Sequence, residues 1–145
     1  MANTDNQPKE WYEDFPEPSW DTPTVTAKEL VELMRTKKAG VDYIVIDLRR
    51  TDFEIGFIKG ALNLPAHSFY PTVPTIVTLL RNIPKVIFHC QSCKAVSRGT
   101  RAAGWYKDAL AKEGITTSQS LVLEGGIVGF LEAYKDDSEL VVKLD

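Results

Sequence analysis

Two cysteines and an arginine lie close together in the segment FHCQSCKAVSRGTRAAG, residues 88–104. Cys90 directly follows an apolar run, and Arg98 opens a segment with a helical pattern. A thiol at a helix N-terminus has a lowered pKa, because the free backbone N–H groups and the helix dipole favour the thiolate. The thiolate is the nucleophilic form of cysteine. Cys90 is therefore the candidate nucleophile, and the alternative is a buried structural thiol.

The residues between Cys90 and Arg98 suit a tetrahedral oxyanion. Backbone N–H groups in such a loop can line a concave anion site. The planar guanidinium of Arg98 can bind two oxygens at once and would stabilise charge that develops during attack by Cys90. Lys94 and Arg101 add positive charge nearby. The candidate oxyanion-binding loop consists of Gln91, Ser92, Cys93, Lys94, Ala95, Val96 and Ser97.

Cys93 completes a C-x-x-C pattern, which has four interpretations. Cys93 is an incidental small residue, a resolving thiol that protects Cys90 as a reversible disulfide, or half of a thioredoxin-like pair. The fourth interpretation is a zinc site with His89, Cys90 and Cys93 as ligands. We expect no metal, because His89 and Cys90 are sequence neighbours and one of them points away from the site.

Polar residues near other predicted strand ends would complete the site. Asp47 and Arg49 follow a strand, and we expect them to brace the loop. His89 precedes the nucleophile and is interpreted as a structural residue, with tuning of Cys90 as the alternative. The general acid has two candidates, Glu54 and Glu124.

Short apolar runs alternate with helical patterns along the chain. Thr26 and Glu29 have the spacing of a capping box, which predicts that a helix begins at Thr26. Strands are predicted over 42–48, 61–65, 85–90 and 120–126, and further helices over 73–82, 98–112, ended by Gly114, and 127–135. His67 falls in a predicted solvated loop. This alternation predicts an α/β fold with a parallel sheet between helices, where ligands bind at the carboxyl ends of the strands.

Composition limits the classes of function. The chain has 145 residues, a formal net charge of −3 and no long basic tract, so we expect neither nucleic-acid nor membrane binding. No apolar run approaches the roughly 20 residues of a spanning helix. The N-terminus lacks the pattern of a secretory signal, and both cysteines fall in one short window. We therefore expect reduced thiols and a cytoplasmic or nuclear location.

Residues 1–24, here called the N-terminal arm, differ in composition from residues 25–145, which we interpret as the catalytic domain. The arm is rich in proline, acidic residues and large aromatics. Prolines disfavour regular secondary structure, whereas large aromatic residues are uncommon in disordered segments. The arm therefore lays its rings on its own domain, or it is a docking peptide for a partner or for the second subunit of a homodimer.

Three segments together resemble the rhodanese-fold superfamily over residues 26–135. The first is IDLRRTDFEIGFIKGALNLP, residues 46–65, with Phe57 where a histidine is usual. The second is HCQSCKAVSRGTRAAG, which is similar to the active loop, with Cys90 as the nucleophile. The third is LVLEGGIVGF, residues 121–130, with Phe130 where tryptophan is common. The resemblance implies a three-layer rhodanese-like domain with a central parallel sheet flanked by helices.

The segments are most similar to the branch of cell-division-cycle-type dual-specificity phosphatases and eukaryotic arsenate reductases. In that branch five residues separate the cysteine from the arginine, whereas seven separate Cys90 from Arg98. The resemblance implies a phosphatase or arsenate reductase acting on a phosphate- or arsenate-bearing substrate. No cofactor would be bound, and glutathione with glutaredoxin would supply electrons. The alternatives are sulfur transfer through a Cys90 persulfide and a non-catalytic binding module.

Overall fold

The computed structural model describes residues 9–144, which are built on a five-stranded parallel sheet. The strands of this sheet are β1 (Thr24–Val25), β2 (Tyr43–Asp47), β4 (Leu62–Asn63), β5 (Lys85–His89) and β6 (Gln119–Leu123). Their order is β1-β6-β5-β2-β4, so β5 lies at the centre. A separate antiparallel pair consists of β3 (Gly56–Ile58) and β7 (Val141–Lys143).

Four α-helices cover the two faces of the sheet. They are α1 (Ala27–Thr36), α2 (Val73–Leu80), α3 (Arg98–Lys112) and α4 (Gly126–Tyr134). Helices α2 and α3 pack in one hydrophobic cluster with Val86 and Phe88 of β5, and α1 and α4 pack in the other with Ile87. Successive β5 side chains point to opposite faces, as the pleat of a strand requires. The predicted α/β fold with a central parallel sheet flanked by helices is confirmed.

The register between β2 and β5 positions the candidate site. Asp47, the last residue of β2, pairs with His89, the last residue of β5. Both strands run in the same direction, so their carboxyl ends meet at one edge of the sheet. Residues that follow Asp47 therefore face residues that follow His89.

The predicted helices and long strands are all present, and their ends lie no more than three residues from the predicted positions. The capping box at α1 is complete: the Glu29 N–H donates to Thr26 Oγ1 at 3.0 Å, and the Thr26 N–H donates to Glu29 Oε1 at 2.8 Å. Gly114 follows α3 with a positive φ of 68°, which glycine tolerates without steric cost. Strands β1, β3 and β7 were not predicted, because two or three residues carry no detectable period-2 pattern.

Residues 9–23 of the N-terminal arm pack on α3, whereas residues 1–8 lie outside the described part of the chain. The Trp105 indole N–H donates to the Pro16 carbonyl at 2.8 Å, and the Ser19 N–H donates to Asp108 Oδ2 at 2.9 Å. Gly104 lies where the arm crosses α3, and a Cβ there would overlap the Ser19 carbonyl. The arm therefore fits closely against its own domain.

Two residues have different surroundings from those the sequence suggests. Arg101 does not add free charge to the loop, because its guanidinium carbon lies 3.6 Å from the Tyr12 ring centroid and 4.8 Å from that of Trp20. These cation–π contacts hold the arm. His67 is not solvated in a loop: it lies in the short 3₁₀ helix Ala66–Ser68, and its ring centroid is 4.9 Å from that of Trp11. Burial lowers the His67 pKa.

Among residues 9–144, no helix is both long enough and apolar enough to cross a membrane.

Candidate active site

Cys90 follows β5 directly and is 3% exposed. Its Sγ lies 3.9 Å from Cys93 Sγ and accepts a hydrogen bond from the Gly99 N–H at 3.4 Å. The Cys93 thiol, the Gly99 N–H and the Ser97 hydroxyl together lower the Cys90 pKa to about 5, although burial opposes them. Cys90 is therefore a thiolate at neutral pH, the form that acts as a nucleophile.

Cys93 is held against Cys90 by the shape of the backbone. Its φ of 48° lies in the left-handed region, and its Sγ accepts the Cys90 N–H at 3.1 Å. Gly99 makes room for this approach, because a Cβ there would lie only 2.8 Å from Cys93 Sγ. The neighbouring Cys90 thiolate raises the Cys93 pKa above its usual range, because Cys93 donates its proton to that thiolate. Cys93 is therefore a protonated donor.

The other loop residues carry the chain from β5 to α3. Ser97 is the N-cap of α3, and it exchanges hydrogen bonds with Thr100 at 2.8 and 3.2 Å. This cap fixes the first turn of the helix, including the Gly99 N–H that faces Cys90. The side chains of Lys94, Ala95 and Val96 are exposed, as is that of Ser92. The loop therefore faces solvent in its middle and the core at its ends.

Arg98 is bound by the carboxylate of Asp52, a residue that the sequence did not mark as part of the site. Two nitrogens of Arg98 donate to the two oxygens of Asp52 at 2.9 and 2.6 Å, and Gln91 Nε2 donates to Asp52 Oδ2 at 3.0 Å. Arg98 holds the Asp52 pKa far below its usual range. Asp52 and the Cys90 thiolate both raise the Arg98 pKa. The only sequence signal for Asp52 was its position in the loop that follows β2.

Replacement of Asp52 by asparagine is expected to tighten oxyanion binding. The carboxylate occupies the fork of Arg98 and repels a second anion, so its loss should lower the Kd for inorganic phosphate about fivefold, or about 1 kcal/mol. Isothermal titration calorimetry with phosphate measures this change.

The matched control is Glu54→Gln, which removes one negative charge from an exposed residue of the same segment and should leave the Kd unchanged. If Asp52→Asn weakens phosphate binding instead, Asp52 acts mainly by orienting Arg98.

Asp47 and Arg49 form a buried ion pair beneath the loop. Arg49 NH2 donates to Asp47 Oδ2 at 2.8 Å, and the side chains are 1% and 0% exposed. Arg49 also donates to the carbonyls of Gly56 at 2.9 Å and Glu54 at 3.1 Å. The pair therefore joins β2 to the segment that leads into β3, which contains Asp52.

The buried side chain of His89 lies next to the Asp47–Arg49 ion pair. Its Nδ1–H donates to the Cys90 carbonyl at 2.9 Å, and its Nε2 lies 3.7 Å from Asp47 Oδ2. Burial lowers the His89 pKa, so the imidazole is neutral. Within residues 9–144, no group of three or more His, Cys, Asp and Glu side chains is arranged to hold a metal ion.

Helix α4 holds the first half of the loop from the opposite side. The Ile127 N–H donates to the Cys90 carbonyl at 3.1 Å, and the Val128 N–H donates to the Gln91 carbonyl at 3.0 Å. Gly126 approaches the loop most closely: its φ is 58°, and a Cβ there would overlap the Gln91 carbonyl group. The glycine pair at the start of α4 therefore permits backbone-to-backbone contact with the loop.

The two predicted general acids are exposed at the surface, whereas Cys90 is buried. Glu54 and Glu124 are exposed, and Glu54 contributes its backbone carbonyl, not its carboxyl group, to the site. The acidic side chain that does contact the loop, Asp52, is held as an anion by Arg98.

The thiolate gives a direct test of the loop geometry. Because the Cys90 pKa is about 5, the thiolate absorbance near 240 nm should be half-developed near pH 5 and constant from pH 7 to 8. Cys93→Ala removes the strongest stabilising hydrogen bond, so this midpoint should move upward. The titration of Cys90→Ser supplies the baseline. A Cys90 midpoint near pH 8.5, that of a free thiol, would contradict the observed geometry.

These features define an α/β protein with a buried cysteine of lowered pKa in a strand-to-helix loop at the carboxyl edge of a parallel sheet. The sequence model of the Rhodanese-like domain family matches residues 26–133. The chain belongs to the Rhodanese-like domain family.

Relatives within this fold have several activities. The chain is 30% identical over 112 residues to Arsenical-resistance protein 2 of Saccharomyces cerevisiae, covering 70% of this chain and 82% of the relative. The As-Sb reductase of Leishmania major superimposes with a TM-score of 0.67 and 26% identity, over 86% of this chain and 88% of that one. Ygr203w, a yeast protein tyrosine phosphatase of the Rhodanese family, gives a TM-score of 0.70 at 22% identity, over 84% and 92%.

Proposed function

We propose that this protein is a cysteine-dependent arsenate reductase in which Cys90 is the nucleophile. The observation that carries the proposal is the Cys90 sulfur itself: it accepts a hydrogen bond from the Gly99 N–H, its pKa is lowered to about 5, and its charge raises the pKa of Arg98. Similarity to Arsenical-resistance protein 2 and to the As-Sb reductase of Leishmania major supports arsenate as the substrate.

In the first step the Cys90 thiolate attacks the arsenic atom of arsenate. An S–As bond forms, an As–O bond breaks, and the oxygen leaves as water, with its protons supplied by the arsenate hydroxyl groups and by solvent. Arg98 would bind two of the remaining oxygens, which requires that it release Asp52 or share its guanidinium with it. The N–H groups at the start of α3 would stabilise the added negative charge.

Reduction then needs a second thiol. That thiol attacks Cys90 Sγ, an S–S bond forms, and the electron pair of the S–As bond stays on arsenic, which leaves as arsenous acid. The two thiols supply the two electrons that convert As(V) to As(III). Glutathione with glutaredoxin would return the protein to its reduced form, and no bound cofactor is needed. We place this activity in the cytoplasm or nucleus, where such thiols are abundant.

Hydrolysis of phosphoesters is the second candidate function. The same thiolate would attack phosphorus, and the phosphatase relative Ygr203w shares the fold. Departure of an alcohol is assisted by a general acid, whereas Asp52, the carboxyl group in contact with the loop, carries no proton at neutral pH because Arg98 lowers its pKa. Water, like an alcohol, leaves only after protonation, so this feature does not separate the two substrates. The similarity to Arsenical-resistance protein 2 and to the As-Sb reductase is what favours arsenate.

A comparison of substrates tests the proposal. Purified protein is assayed on arsenate with glutathione and glutaredoxin, on an aryl phosphate, and on thiosulfate with cyanide, each beside Cys90→Ser. We expect arsenite production that depends on Cys90. Turnover of aryl phosphate alone would identify the protein as a phosphatase. Turnover of thiosulfate alone would identify its activity as sulfur transfer through a Cys90 persulfide. Equal rates for the wild-type protein and for Cys90→Ser on every substrate would show that no activity depends on Cys90. That result would favour a non-catalytic binding module.

A further inference from the structure

The two thiols of the loop are held in contact by two independent structural features. The left-handed backbone at Cys93, with φ 48°, turns its side chain back toward β5. The missing Cβ of Gly99 leaves the space that the Cys93 sulfur occupies. Cysteine has a Cβ and gains nothing from a left-handed conformation, which costs of order 1 kcal/mol or more. The loop therefore keeps Cys93 at 3.9 Å from Cys90 Sγ despite a local cost.

We propose that Cys93 is the resolving thiol of the reaction: it attacks Cys90 Sγ in the cysteinyl-arsenate adduct and forms a Cys90–Cys93 disulfide. This inference rests on the proposed arsenate reductase function and assigns the second thiol to the protein itself. The residues between Cys90 and Arg98, which exceed the five of the resembled branch, would include the group that performs this step.

The step balances within the protein. The Cys93 thiol loses its proton, its sulfur bonds to Cys90 Sγ, and the S–As bond breaks with its electron pair left on arsenic. Arsenic gains two electrons, the two cysteines lose two, and the proton leaves with arsenous acid. A second cycle needs an external thiol or dithiol that reduces the disulfide.

The charges around Cys93 set the order of events. Before substrate binds, the Cys90 thiolate raises the Cys93 pKa, so Cys93 remains protonated and does not compete as a nucleophile. Once Cys90 is bonded to arsenic, its negative charge is gone and this effect disappears. Loss of this charge makes Cys93 ionise more readily beside the sulfur that it must attack, while burial continues to raise its pKa.

An external thiol can reach the resulting disulfide from the side of Cys93. Cys90 is 3% exposed, whereas Cys93 lines an open cavity of about 210 Å³ near β1. Attack at Cys93 would release Cys90 as a thiolate, and a thiol of low pKa is the better leaving group.

A single-turnover experiment tests the inference. The protein is reduced, freed of reductant and mixed with arsenate in the absence of any other thiol. We expect about one equivalent of arsenite per chain, loss of both free thiols, and a peptide in which mass spectrometry finds Cys90 joined to Cys93. Cys93→Ser keeps a hydrogen-bond donor beside Cys90 but should yield no arsenite until glutathione is added. Cys93→Ala should behave alike, with the Cys90 thiolate titration as a check that the nucleophile is intact.

The outcomes separate this inference from the proposed function. The resolving role is overturned if the wild-type protein yields no arsenite without an external thiol but turns over once glutathione and glutaredoxin are added. It is equally overturned if Cys93→Ser releases as much arsenite as the wild-type protein in the absence of thiol. Failure of the wild-type protein to reduce arsenate even with glutathione and glutaredoxin would instead remove the proposed function itself.

Discussion

Replacement of Gly126 by alanine is expected to lower the activity of Cys90 about 100-fold without unfolding the protein. The new Cβ would overlap the Gln91 carbonyl group. The Cβ position is fixed by the backbone of residue 126 and the carbonyl is itself backbone, so neither can turn aside. The φ of 58° adds strain for a residue with a Cβ. The loop must therefore shift by a fraction of an ångström or more, and a misplacement of about 1 Å can cost about 100-fold in rate.

The control for this prediction lies in the same helix. Gly129 has nothing within 4 Å of the position of a Cβ, so Gly129→Ala should leave the activity unchanged and stabilise α4 slightly. The measurement is kcat/KM for arsenate, together with urea unfolding of each variant. Equal activity in the two variants would show that the contact between Gly126 and Gln91 does not position the loop.

Replacement of Asp47 by asparagine is expected to destabilise the folded protein by about 3–5 kcal/mol. Arg49 would then remain charged and 1% exposed with no carboxylate to neutralise it. Breaking one partner of a buried pair is costly because the other charge stays out of water. Since whole domains are stable by only about 5–15 kcal/mol, the variant should unfold at a much lower urea concentration, as followed by tryptophan fluorescence.

Two comparisons isolate the role of burial in this effect. Asp136→Asn breaks an ion pair with Lys143 whose side chains are 78% and 64% exposed, and it should cost less than about 1 kcal/mol. The double variant Asp47→Asn with Arg49→Met removes both charges and should recover much of the lost stability. If Asp47→Asn and Asp136→Asn cost the same, the buried pair does not hold this edge of the sheet.

Local patterns in the sequence were sufficient to predict most of the fold. The runs DYIVIDL and KVIFHC are too apolar and too β-branched for any position but a buried strand. The capping box of Thr26 and Glu29 marks the start of α1 through contacts made within four residues. Parallel pairing then follows from the alternation of strands and helices, and with it the edge where the site must lie.

The sequence also located the loop that carries Cys90 and Arg98, because both residues belong to one continuous segment. It did not reveal Asp52, which lies 46 positions from Arg98 along the chain and meets it only because β2 and β5 end at the same edge. Contacts of this kind leave no periodic signal in a single sequence. Nor did the sequence show that Arg101 and His67 pack under the rings of the N-terminal arm.

The relation between the two thiols was likewise decided by the tertiary structure. C-x-x-C spacing allowed an incidental residue, a redox pair or metal ligands, because a four-residue segment can take many conformations. The left-handed turn at Cys93 and the space over Gly99 bring its sulfur to 3.9 Å from Cys90 Sγ, and the N–H groups of α4 hold the start of the loop. The proposed resolving role of Cys93 rests on this contact. Residue types therefore determined which groups could react in this protein, and packing from distant parts of the chain decided which of them lie close enough to do so.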